Sequence, residues 1–130
     1  MLTPADLNVL ESLGLAWSSQ DEGGWTCLVI SDWPLPPGYQ QTSADLLLRL
    51  SPGYPDVPLD MWWFEPVVSR SDNQPIAQTD VREQVLGRVW QRWSRHLNPG
   101  DWRPGVDGVQ SFLARVRGEL RASAGPVLTP

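Results

Sequence analysis

The chain has no lysine, one cysteine, one histidine and no apolar run longer than a few residues. Each shortage closes something off. A lone Cys27 can form neither an intramolecular disulfide framework nor a multi-cysteine zinc site, and a reducing cytoplasm is the expected address. Stretches as short as Leu46–Leu48 and Met61–Phe64 supply neither a membrane-spanning helix nor the apolar core of a secretory leader. These residues lead us to expect no metal, no cofactor and no membrane partner.

Charge is also uneven. Residues 1–65 hold nine acids and one arginine, Arg49, for −8, whereas residues 66–130 hold six acids and nine arginines, for +3. Anion-friendly surface is therefore expected in the second half, through Arg82, Arg88, Arg92, Arg95 and Arg103. A net charge of −5 argues against a nucleic-acid partner, which calls for a basic footprint.

What is abundant is tryptophan, with 8 copies, and the turn formers, with 13 prolines and 11 glycines. A length of 130 residues is enough for one domain with a real core. Thr3 suits a helix N-cap, Pro4 the first helical position and Asp6 the first turn, and Leu7, Leu10 and Leu13 continue at helical spacing up to Gly14. Ser18–Gly24 reads as a turn. Strands are expected over Trp25–Ser31, Ala44–Leu50 and Leu59–Phe64, rich in β-branched and aromatic residues and separated by proline and glycine breaks.

Residues 66–79 read as an exposed loop. Asp80 followed by Glu83 resembles a capping box, and Val81, Val85, Val89 and Trp93 at i, i+4 spacing predict a second helix. Asn98-Pro99-Gly100 breaks the chain between Ser94 and Pro104. A last helix carries Val106, Val109, Leu113, Val116 and Leu120. The expected fold class is α+β: an N-terminal helix, an antiparallel meander of three to four strands, then helices packed on one sheet face. The domain should span residues 1–122, with 123–130 a flexible tail. Trp62 and Trp63, adjacent on a strand, must face opposite sides of the sheet, one under the helices and the other beneath some further cover.

The turn Pro52-Gly53-Tyr54-Pro55-Asp56-Val57-Pro58, leading into Asp60-Met61-Trp62-Trp63-Phe64, resembles a turn of the ubiquitin-conjugating (UBC) fold. Trp102-Arg103-Pro104 is similar to the tryptophan-x-proline motif that opens the helix after the active site there. With Leu35–Tyr39, Asp45–Leu50, Trp90–His96 and Trp102–Asp107, the chain looks most like a prokaryotic group of conjugating-enzyme-like proteins called family E, over residues 25–120. The resemblance implies a partnership with a ubiquitin-like protein and an adenylating activating enzyme, in a bacterial modification pathway whose usual company suggests antiphage defence.

Two departures from typical conjugating enzymes stand out. The register of their nucleophilic cysteine falls here on Ser94, and no histidine-proline-asparagine motif precedes it. The first helix is acidic, through Asp6 and Glu11, where familiar relatives are basic. The resemblance therefore implies an atypical acyltransferase, carrying the ubiquitin-like protein as an oxyester on Ser94. His96 would serve as base, with Arg92, Arg95, Trp102 and Asp107 supporting the oxyanion or the incoming tail. A catalytically silent adaptor is the alternative. A thioester on Cys27 is a third reading, set against Cys27 as a small buried hydrophobe. The lack of lysine fits an arginine-favouring genome, and equally a protein that must not modify itself.

Overall fold

A computed structural model describes residues 1–127. Its elements are α1 (Pro4–Ser12), β1 (Trp17–Glu22), β2 (Trp25–Pro34), β3 (Ser43–Leu50), β4 (Trp62–Glu65), β5 (Val81–Val85), β6 (Arg88–Trp93) and α2 (Val109–Ser123). The strands form one antiparallel sheet in the order β1-β2-β3-β4-β6-β5. The layout is α+β, as expected, but the sheet has six strands rather than three to four.

Both extra pieces of sheet come from local chemistry that overrides the periodicity. Ser18–Gly24 is a turn only at its end: Trp17–Glu22 pairs with β2 and folds back at Gly23-Gly24. The expected helix from Asp80 is instead the hairpin β5–β6, joined at Leu86 and Gly87, which have φ 54° and 73°. Two successive left-handed residues make a tight reversal whose twist suits paired strands. Valines four apart satisfy a period of 2 as well as one of 3.6, and their β-branching favours the strand.

Pairing then sets the faces. Leu28 and Ile30 of β2, Leu46, Leu48 and Leu50 of β3, Trp62 and Phe64 of β4, and Trp93 of β6 form one core with Leu10 of α1 and Val109, Phe112, Leu113, Val116 and Leu120 of α2. Val106, expected on that helical stripe, lies ahead of the helix and is exposed. The alternate residues Cys27, Val29, Leu47, Trp63, Val85 and Trp90 form a second, smaller core on the other face. Trp62 and Trp63 divide between the two cores, as adjacent strand residues must.

No helix covers the second core among the described residues; the sheet covers it by coiling. β1 and β5 are opposite edges, yet the Leu86 amide at the hairpin tip donates to Glu22 Oε2 at 2.8 Å. That contact spans the whole sheet and makes its second face concave. Arginines finish the cover, with the Arg88 guanidinium 4.4 Å from the Trp90 ring centre and Arg49 lying 5.2 Å from Trp25 and 5.8 Å from Trp63.

Asp6 ties the helices together. Its carboxylate accepts from the Thr3 amide in the α1 capping box, from the Tyr54 hydroxyl and from the Val109 amide that opens α2. At the other end of the domain Tyr39 donates to the Leu120 carbonyl, and the Gly125 amide to the Gly38 carbonyl. Of the expected tail, Ser123 still belongs to α2 and residues 128–130 lie outside the described residues. No helix among the described residues is long and apolar enough to cross a membrane.

Candidate functional site

β6 ends at Trp93, and the strand direction carries on into Ser94. Along this strand Trp90 and Arg92 point to the concave face while Gln91 and Trp93 point under the helices. Ser94 continues the first set. Its hydroxyl accepts a hydrogen bond from Arg92 Nε at 3.0 Å, and its amide donates to the Gln78 carbonyl. Arg92 is itself held: Nη1 donates to Glu83 Oε1 at 2.9 Å, across the β5–β6 pair. Glu83 is thus the strand-borne partner of Arg92 rather than a helix cap.

His96 lies just beyond, with 64% of its side chain exposed. Its Nδ1 sits 3.0 Å from both oxygens of Asp60, a residue of the 51–61 turn. With the carboxylate on Nδ1, Nε2 is the nitrogen left to exchange a proton. No hydrogen bond joins Ser94 to His96 among the described residues.

The remaining residues expected at the site lie in two other places. Arg95 turns to the helix side, pairing with Glu119 at 3.2 Å, donating to the Ala77 carbonyl and lying 5.1 Å from the Trp93 ring centre. Trp102 Nε1 donates to the Pro55 carbonyl, and its ring centre lies 6.3 Å from that of Tyr54. Asp107 accepts from the Arg103 amide. Trp102 and Asp107 line a separate cavity of about 250 Å³ with Leu97, Phe112 and Arg115. Ser94 and Arg92 therefore form one unit and His96 with Asp60 a neighbouring one, while Arg95, Trp102 and Asp107 serve packing between the loops and α2.

Cys27 is fully buried in the second core. Burial pushes its thiol up, and Arg49, its neighbour in register on β3, opposes that without reversing it. Arg49 is distant from Cys27 in the chain, and the pairing of β2 with β3 brings its guanidinium there. Asp60, Glu83 and Arg49 were missed as site residues. Their roles depend on residues distant in the chain, and the chain offers no local signal for them.

The fold defines a class first: an α+β domain, two helices with a six-stranded antiparallel sheet, consistent with the conjugating-enzyme type. The prokaryotic E2 family E model matches residues 2–123, and the chain belongs to that family. Membership ties it to ubiquitin-like protein conjugation in prokaryotes, and in general terms to a ubiquitin-like protein and an activating enzyme as partners. Comparison with curated proteins and with solved structures returned no match.

Proposed function

We propose that this chain accepts the C-terminal acyl group of a ubiquitin-like protein from an activating enzyme and carries it as an oxyester on Ser94. The observation that carries the reading is the anchored guanidinium on the hydroxyl: Arg92 Nε lies 3.0 Å from Ser94 Oγ while Glu83 fixes its other end. A cation held in place stabilises an alkoxide as its proton leaves, without reorganising at the moment of reaction. Ser94 Oγ attacks the acyl carbon of the activating enzyme's thioester. His96 Nε2 takes the hydroxyl proton, the carbon–sulfur bond breaks, and the thiolate departs with a proton from solvent. Asp60 orients His96 and steadies its imidazolium form. The exposed His96 side chain must swing toward Ser94 for this step.

The missing Ser94–His96 hydrogen bond favours a second reading, an adaptor that binds the ubiquitin-like protein or the activating enzyme without chemistry. One experiment separates the two. The chain is incubated with the activating enzyme and ubiquitin-like protein of its pathway and ATP, and covalent adducts are resolved on a denaturing gel. The carrier reading expects an adduct that resists thiol reductant, yields to mild base, is lost in Ser94→Ala and is retained in Cys27→Ala. Asp60→Asn should slow its formation roughly tenfold to a hundredfold. A reductant-sensitive adduct lost in Cys27→Ala overturns the assignment. Binding without an adduct establishes the adaptor.

A further inference from the structure

Beside Arg92, at the mouth of the concave sheet face, lies a groove of about 500 Å³, a size typical of small-ligand sites. Its walls are the rings of Trp25 and Trp63 with Met61, Val57 and Pro58. The acids that reach it are already taken. Glu83 accepts from Arg92 and from Trp63 Nε1, and Asp60 holds His96. The cation that reaches it from β3 is not taken: no carboxylate pairs with Arg49 among the described residues. The rings of Trp25 and Trp63 hold its guanidinium in place. Arg49 Nε and Ser51 Oγ, two residues apart on the same side of the chain, are both shielded from solvent and lack a hydrogen-bond partner among the described residues.

Shielded polar atoms without partners are costly in a folded protein, and the two residues that carry them both line this groove. A guanidinium restrained by aromatic rings loses little freedom on binding and matches a carboxylate in shape and charge. We propose that the groove binds the carboxyl-terminated end of a peptide, with the carboxylate on Arg49 and Ser51 and an apolar side chain between Trp25 and Met61. Arg92, whose Nε donates to Ser94, lines the same groove. The binding requires no acyl transfer and stands apart from the role proposed for Ser94.

The test uses the full chain alone, without ATP or activating enzyme, so that no adduct can form. N-acetyl-leucyl-glycine, which offers one apolar side chain and one carboxylate, is titrated while the tryptophan indole N–H resonances are followed by NMR. Saturable millimolar binding is expected, with the Trp25 and Trp63 signals moving most. The C-terminal amide of the same peptide should bind at least tenfold more weakly, as should Arg49→Gln. Val57→Glu keeps Arg49 while setting a negative charge at the groove wall, and should weaken the acid more than the amide. Free glycine and acetate distinguish an anion site from a peptide site, and acetate binding as tightly as the peptide overturns the peptide assignment. Equal binding of acid and amide, shifts confined to Trp102, or no saturable shift overturns the proposal.

Discussion

Asp6 shows how much one side chain can organise. It is buried to 3% exposure and accepts from Thr3, Tyr54 and Val109, so a single carboxylate caps α1, locks the 51–61 turn and sits at the positive end of α2. An amide in its place offers one acceptor and sets a donor against donors. Asp6→Asn is expected to lower stability by about 2–3 kcal/mol, read from the urea midpoint with an unchanged slope. The acidic first helix, an oddity beside basic relatives, has this internal use for one of its acids.

At the scale of elements, the β5–β6 hairpin decides whether the site exists. It supplies Glu83 to Arg92 and carries Ser94 out of the strand, and its tip closes the concave face through Glu22. The reversal needs positive φ at Leu86 and Gly87. Leu86 bears the strain because its side chain packs against the second core, while Gly87 meets nothing and is there for its backbone alone. Gly87→Ala should therefore cost roughly 1 kcal/mol with no steric clash, visible as a small drop in melting temperature. The Arg92–Ser94 unit lies at the far end of the hairpin, so that variant is expected to match the unsubstituted chain in the adduct assay.

Across the whole molecule the two tyrosines act as latches. Tyr39 joins the loop after β2 to the end of α2, and Tyr54 joins the turn after β3 to its start. Burial pushes the Tyr39 hydroxyl up to about 12, and burial followed by Asp6 raises Tyr54 as well. In the unfolded chain both ionise near 10.0. Below that pH both states keep their protons and stability is level. From about pH 10 upward the unfolded chain loses protons that the folded one retains, so stability falls by up to about 1.4 kcal/mol per pH unit for each tyrosine. Tyrosinate absorbance should be nearly absent from the native protein at pH 10 and about half developed in urea.

The first helix, its Thr3 cap, β3, the proline turn at 52–58 and the last helix were all legible in the chain. Each is written in contiguous residues: a capping box, an apolar run, turn formers or a helical stripe. The family likeness was legible for the same reason, since its motifs are local words such as Tyr54-Pro55 and Trp102-Arg103-Pro104. Val81–Trp93 was misread because valines four apart serve a strand as well as a helix, and only the positive φ at Leu86 and Gly87 separates the two.

By itself, then, the sequence determined the fold class and the presence of Ser94, Arg92 and His96 close together in the chain; that Ser94 follows a strand rather than a helix came from the hairpin. Tertiary structure alone decided which of those groups meet. Asp60 reaches His96, Glu83 holds Arg92, Arg49 comes beside Cys27, and Trp102 stays with Pro55, because strand pairing and sheet coiling join residues far apart in the chain. Side-chain chemistry is a property of the residue; hydrogen-bond partnership at 3 Å is a property of the packing.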